Sequence, residues 1–150
     1  MKIELRIFPL IGIFIFILSG CISPPSVNNI TEEFIPDLQY SEDSSLEKVE
    51  KAILSASRKR GWSPRAIKPG LIEARITVRS HRATIEIPYS KNSYSIIYKD
   101  SYNLNFKNGT IHRNYNGWVT KLSVAIQKGL YREHLVSEFK TIKPLTINSN

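Results

Sequence analysis

Strict alternation of apolar and polar residues in two neighbouring segments constrains the fold of this chain more than any other feature. In "LIEARITVR" (71–79) and "RATIEIPY" (82–89) every second residue is apolar. A period of two is the pattern of a strand with one buried side and one side facing solvent. The chain is therefore expected to build an antiparallel sheet with a single apolar face.

The alternation also predicts how the strands pair. A tight turn at Ser80-His81 makes the apolar pairs Val78–Ala83, Ile76–Ile85 and Ala74–Ile87. On the polar side the same register pairs Arg75 with Glu86 and Thr77 with Thr84, which are favourable cross-strand neighbours. A second turn near Lys91-Asn92 leads into "SYSIIYKDS" (93–101) and predicts the pairs Tyr89–Tyr94, Ile87–Ile96 and Ile85–Tyr98. Pro88 cannot donate to the ladder and is expected near the end of its strand.

Helical patterns flank these strands. Ser44 and Glu47 form a capping box. The apolar residues that follow at helical spacing are Leu46, Val49, Ile53 and Ala56. Gly61 is expected to end this helix, and the segment 62–70, with two prolines, is expected to be a loop.

A second helix is predicted after the strands. A short strand is expected around 103–106, a tight turn at Asn108-Gly109 and an N-cap at Thr110. The apolar stripe of this second helix consists of Ile111, Tyr115, Trp118, Val119, Leu122 and Ile126. Gly129 is expected to end or bend this helix, with an extension over 131–139.

The order is helix, an antiparallel meander of three or four strands, and helix. Two amphipathic helices can cover the one apolar sheet face, so we expect an α+β fold in the form of a two-layer sandwich. The domain is predicted over 44–139, with a loose tail over 140–150.

The N-terminal residues have the layout of an export signal. Lys2 and Arg6 precede an apolar run from Ile7 to Leu18, and two small residues come before Cys21, the only cysteine of the chain. The run of about a dozen residues is short of the roughly 20 that a spanning helix needs. Residues 1–20 are therefore predicted to be a signal peptide.

The segment Leu18-Ser19-Gly20-Cys21 resembles the lipobox of bacterial lipoproteins. This resemblance implies that diacylglycerol modifies the Cys21 thiol, that cleavage occurs before Cys21 and that the chain is anchored by lipid. Ile22 stands where inner-membrane lipoproteins carry aspartate, which implies the outer membrane, facing the periplasm. The alternative is an ordinary secretory signal with an unrelated cysteine. A lipidated Cys21 leaves no thiol for a disulfide, a nucleophile or a metal site.

Residues 21–43 are rich in proline and polar residues and are predicted to be a tether. Such a segment of roughly 20 residues reaches at most about 70 Å. Four apolar residues would allow part of the tether to dock on the domain: Phe34, Ile35, Leu38 and Tyr40.

Basic residues outnumber acidic ones. Loss of the signal with Lys2, Glu4 and Arg6 leaves 19 basic and 12 acidic residues, and a net charge of +7. Much of the charge lies between Arg58 and Arg82. In the periplasm the available polyanions are lipid head groups and cell-wall polymers, and nucleic acid is not expected as a partner. The two interpretations are a solvated basic face and an anion site, for which Arg75, Arg79 and Arg82 on the polar sheet face are candidates.

Four segments between residues 49 and 126 are similar to small, largely uncharacterised bacterial envelope lipoproteins. They are "RGW" (60–62), "YSIIYKDS" (94–101), "NLNF" (103–106) and "IHRNYNGWV" (111–119). The resemblance implies the same fold and location and carries no activity with it.

No pattern of catalytic, cofactor or metal-binding residues is present in the sequence. His81, His112 and His134 lack the spacing of a metal motif, and no GxSxG or phosphate-loop pattern occurs. Polar and aromatic residues are dense where the last strand meets the second helix. They are Tyr98, Asp100, Ser101, Asn103, Asn105, His112, Arg113, Asn114, Tyr115 and Trp118. This cluster is either a small polar pocket, with Tyr98 and His112 as candidate binding residues, or a set of turn caps and core aromatics.

Three functions stay open. The first is a non-enzymatic, lipid-anchored binding or structural module of the envelope, which binds an anionic component or a protein. The second is a periplasmic enzyme that uses His112 with Asp100 or Tyr98 in a concave pocket. The third is a lipoprotein that is secreted to the cell surface or has a toxin-immunity or entry-exclusion role.

Overall fold

A computed structural model of the chain describes residues 23–35 and 46–142, and beyond Arg132 it describes the side chains of residues 135, 136 and 139. In chain order the elements are β1 (Ile30–Phe34), α1 (Leu46–Lys59), β2 (Trp62–Lys68), β3 (Leu71–Val78), β4 (His81–Pro88), β5 (Ser93–Tyr102) and α2 (Arg113–Ile142). The strands form one antiparallel sheet in the order β1-β5-β4-β3-β2. The α+β class and the helix–meander–helix order are confirmed.

The core lies between one face of the sheet and the two helices. The inner residues of β3 and β4, such as Ile72 and Ile85, are fully buried, as are Ile53 of α1 and Leu122 of α2. The predicted stripe of α2 is buried throughout except Trp118, which is half-buried. The other face of the sheet carries no helix among the described residues, and we call it the outer face.

The predicted pairing of β3 with β4 is wrong by two residues. Ile76 faces Ala83, Ala74 faces Ile85, and the turn is formed by Arg79-Ser80 instead of Ser80-His81. Arg79 has a positive φ of 56°, which the first turn residue of a two-residue hairpin requires. A shift of two keeps every side chain on its predicted face, so the hydrophobic pattern alone does not distinguish the two registers.

The pairing of β4 with β5 agrees with the prediction. Tyr89 faces Tyr94 and Ile85 faces Tyr98. The register then shifts, since Thr84 faces Asp100, and Lys99 is the extra residue of a β-bulge. Pro88 is the last residue of β4, as expected.

The segment predicted as a loop after α1 forms strand β2, so that prediction is wrong. β2 is an edge strand that pairs only with β3 within the described sheet. An edge strand tolerates Pro64, because one side of its backbone needs no ladder partner. Trp62 begins the strand and is buried against the core.

Part of the predicted tether belongs to the folded domain. β1 pairs with β5, and Ile35 is buried, while its backbone N–H donates to the Asn92 carbonyl at 2.8 Å. Nearer the N-terminus, the Pro25 carbonyl accepts a hydrogen bond from the Ile111 N–H at 3.0 Å. The predicted docking is thus seen for Ile35, whereas Phe34 is exposed. Leu38, Tyr40 and Ser44 lie outside the described residues.

The connection from β5 to α2 differs from the prediction in two ways. Residues 103–106 are not a strand, because Asn103 and Asn105 have positive φ angles of 57° and 52°. The N-cap of α2 is His112 instead of Thr110: its Nδ1 accepts a hydrogen bond from the Asn114 N–H at 3.2 Å. The Asn108-Gly109 turn is confirmed.

Helix α2 passes through Gly129 and continues to Ile142. The predicted end or bend at Gly129 is therefore replaced by one helix of 30 residues, and the first residues of the predicted tail are helical.

Candidate functional site

The arginines predicted to bind a partner lie at one side of the outer face. Arg75 and Arg82 are exposed on β3 and β4, and Arg79 occupies the turn between these strands. The Arg82 guanidinium lies 5.3 Å from the centre of the Tyr102 ring, a cation–π distance. The structure therefore presents all three arginines to solvent.

The middle of the outer face carries opposite charges that neutralise one another. Because of the shifted register, Glu73 faces Glu86 across the strands. Lys99 lies between them, with its Nζ 2.8 Å from Glu73 Oε2 and 2.7 Å from Glu86 Oε1. The Nη2 atom of Arg65, on β2, lies 3.6 Å from Glu73 Oε1. The hydrogen bond from Lys99 is the main reason that the pKa of Glu73 is lowered, and it raises the pKa of Lys99 in turn.

The predicted polar cluster is divided between the two faces of the sheet. Tyr98 lies on the inner face, where its ring contacts Phe106 and Tyr115 and its hydroxyl is 2.9 Å from the Ser101 Oγ. Asp100 pairs with Thr84, on the outer face. The structure thus does not bring Tyr98 and Asp100 into one pocket, and Tyr98 has the surroundings of a structural tyrosine.

The two described histidines stack on each other, with ring centres 5.9 Å apart and planes 19° from parallel. His81 Nδ1 donates to the Asn103 carbonyl at 2.5 Å, and His112 Nδ1 accepts from the backbone of α2. These contacts join the start of β4 to the start of α2. His134 lies among the side chains that the structure does not describe.

Positive charge is concentrated on the helical side of the domain, between α1 and α2. A cavity of about 420 Å³ opens there. It is lined by Lys51, Ala52, Ser55, Ala56, Lys59, Arg60, Ala125, Lys128, Gly129 and Arg132. Five of these ten residues are basic and none is acidic. We call this cavity the basic groove.

Small residues at the crossing of the helices shape the basic groove. A Cβ atom on Gly129 would lie 3.8 Å from the Ala52 carbonyl oxygen and 3.9 Å from its Cβ, so the two backbones approach closely here. Lys51 and Lys59 follow one edge on α1, and Lys128 and Arg132 follow the other on α2. A second cavity of about 280 Å³ is lined in part by Arg60, Trp118 and Lys121. It extends the positively charged surface beyond the basic groove.

Like charges gathered around a concavity repel one another, and the repulsion is relieved when an anion binds among them. The walls of the concavity also focus the positive potential. The basic groove can therefore attract an anion, whereas the outer face offers three exposed arginines beside a neutralised cluster.

Sequence reasoning missed this site because its two edges are about 70 residues apart in the chain. Each edge of the basic groove does have a recognisable pattern in the sequence. Lys51, Ser55 and Lys59 recur every four residues on α1, as do Lys128 and Arg132 on α2. Such spacing places polar residues on one side of a helix but does not say that two such sides meet.

Within the described part of the chain, no helix is long and apolar enough to cross a bilayer, and no cluster of His, Cys, Asp and Glu could hold a metal ion. No protein-family model, curated protein or solved structure matches this chain.

Proposed function

We propose that the protein is a lipid-anchored lipoprotein of the bacterial outer membrane that faces the periplasm and acts as a non-enzymatic binding module. Its ligand is an anionic, phosphate-bearing component of the envelope, bound in the basic groove. The observation that carries this proposal is the convergence of five basic side chains around a single cavity, with no acidic one among the lining residues that the structure describes.

Phosphate is the chemistry that suits the groove best. Arginine offers a planar fork of donors that matches phosphate oxygens, and lysine supplies a compact charge that neutralises them. Arg60 and Arg132 stand among the lining residues with three lysines. The volume of about 420 Å³ lies within the range of small-ligand sites.

The anchor rests on the lipobox at Cys21, and the compartment follows from it. A phosphate-bearing ligand in the periplasm is a lipid head group, a lipopolysaccharide or a cell-wall polymer. All three ligands would present phosphate groups to the basic groove.

Titration with inorganic pyrophosphate, followed by amide chemical shifts, tests the proposal. The chain as processed by the cell is held in a neutral detergent. We expect saturable shifts at Ala52, Ala125 and Gly129, because these backbone groups line the groove. The double variant Lys128→Gln with Arg132→Gln should weaken binding by on the order of tenfold or more, because it removes two charge-assisted contacts.

A matched variant distinguishes the groove from the outer face. Arg75→Gln with Arg82→Gln removes the same amount of charge from exposed residues of β3 and β4. Pyrophosphate binding should stay unchanged in this variant. Shifts that map to the outer face, or that never saturate, would contradict the groove as the binding site.

A further inference from the structure

Helix α2 carries exposed apolar side chains beyond its buried stripe. Tyr131 is 56% exposed and Phe139 is 73% exposed, and Val124 and Val136 are exposed as well. Positions 124, 128, 131, 135 and 139 succeed one another at spacings of three and four, so they share one side of the helix. We call this side the outer stripe of α2.

The outer stripe is continuous with the basic groove. A shallow pocket on α2 is lined by Gln127, Lys128, Tyr131, Arg132 and Leu135. Lys128 and Arg132 belong to this pocket and also to the groove. Cations therefore lie beside exposed aromatic and aliphatic side chains along α2, and helices at a membrane interface combine the same two kinds of residue.

The fold also brings the lipidation site close to α2. Pro25 is hydrogen-bonded to Ile111, two residues before α2 begins. Cys21 lies four residues before Pro25, and four residues span at most about 14 Å. A lipid on Cys21 therefore holds the N-terminal end of α2 near the bilayer surface instead of on a long tether.

We propose that α2 lies along an anionic bilayer, with its outer stripe at the interface and the basic groove around phospholipid phosphates. This inference rests on the proposed function and names the bilayer itself as the source of the phosphate. Two attachments, the acyl chains at one end of α2 and the outer stripe towards the other, orient the domain. The outer face of the sheet is then directed away from this membrane.

Spin labels at single cysteines test the orientation. The native cysteine is the lipidated one, so an introduced cysteine is the only thiol that reacts. Val124→Cys labels the outer stripe, and Thr77→Cys labels an exposed site on the outer face. The processed chain is reconstituted in vesicles of phosphatidylcholine alone or with one-third phosphatidylglycerol, and the collision rates of the label with oxygen and with an aqueous nickel complex are measured.

With phosphatidylglycerol, the label at 124 should gain access to oxygen and lose access to nickel, while the label at 77 stays aqueous. In phosphatidylcholine alone, or in about 1 M salt, both labels should be aqueous, because the attraction is electrostatic. Lys128→Gln with Arg132→Gln should lower the ratio of docked to undocked protein by on the order of 25-fold, about fivefold per cation. An aqueous label at 124 in both vesicles, or a lipid-exposed label at 77, overturns the inference.

The two proposals fail separately. Pyrophosphate shifts at Gly129 together with an aqueous label at 124 would retain phosphate binding and reject the bilayer as its source. Docking on phosphatidylglycerol without saturable pyrophosphate binding would retain the bilayer contact and reject a discrete phosphate site. The unsubstituted chain is the control for the anchor, and its uptake of spin label would show that Cys21 is a free thiol.

Discussion

At the scale of single residues, Lys99 has a role that its position in the sequence does not reveal. It is the extra residue of the bulge in β5, and bulges redirect a side chain relative to the ladder. Its ammonium group lies between two glutamates that otherwise face each other as like charges. Lys99 thus offsets the repulsion between Glu73 and Glu86 that this register of β3 and β4 creates.

Replacement of Lys99 by glutamine should therefore destabilise the domain at neutral pH, seen as a lower urea midpoint. The pKa of Glu73 is lowered in the folded state, so the contribution of its ionised form is present above its ordinary value of 4.5. This contribution is lost as the pH falls through the lowered pKa. The difference between the variant and the parent chain should hence shrink in acid.

Lys91→Gln is the matched control, because Lys91 is exposed in the connection between β4 and β5, away from this cluster. It should leave the midpoint nearly unchanged at either pH. A deficit for Lys99→Gln that persists unchanged well below pH 4.5 would contradict the role assigned to the two carboxylates.

At the scale of elements, the addition of β1 to the sheet is the largest departure from what the sequence suggests. Ile35, directly after β1, is buried, and Phe34, inside it, is exposed. Replacement of Ile35 by alanine should lower the free energy of unfolding by about 2 to 5 kcal/mol, the usual cost of truncating a buried isoleucine. Urea unfolding of the processed chain measures this change.

Phe34→Ala is the neighbouring control. Its side chain is 68% exposed, so the change should stay within about 0.5 kcal/mol. Equal and small effects at both positions would show that residues 30–35 are a tether in solution and not a fifth strand.

The periodic segments are the elements that the sequence predicted well. The alternation over β3, β4 and β5 and the apolar stripe of α2 were sufficient to predict the fold class. The apolar face of the sheet and the apolar stripe of the helix bury each other. β1 and β2 were missed, since both are short edge strands whose composition resembles a loop: β1 carries two glutamates and one threonine, and β2 contains a proline. Pro64 lies inside a strand only because β2 has a single described neighbour.

The candidate site was harder to predict than the fold. The sequence indicated an excess of positive charge and placed Arg75 and Arg82 correctly on the polar face of the sheet, whereas Arg79 lies in the turn between β3 and β4. The basic groove depends on the crossing of α1 and α2 at Ala52 and Gly129, a tertiary contact. No local pattern specifies that contact.

At the scale of the whole molecule, the two sides of the domain differ in charge. The sheet side combines acidic and basic residues, and the helical side gathers cations around one cavity and exposes apolar residues next to it. A lipid at Cys21 would attach close to the N-terminal end of α2. Under the two proposals above, the lipid, the basic groove and the outer stripe would together hold the domain against the membrane that anchors it.

The intact mass of the native chain, purified from the bacterial envelope, tests this account most directly. We predict a chain that has lost residues 1–20 and gained the mass of a diacylglycerol group and an amide-linked acyl chain, with no thiol available to an alkylating reagent. The full chain beginning at Met1, with an unmodified Cys21, would contradict the membrane anchor and the periplasmic location that depends on it.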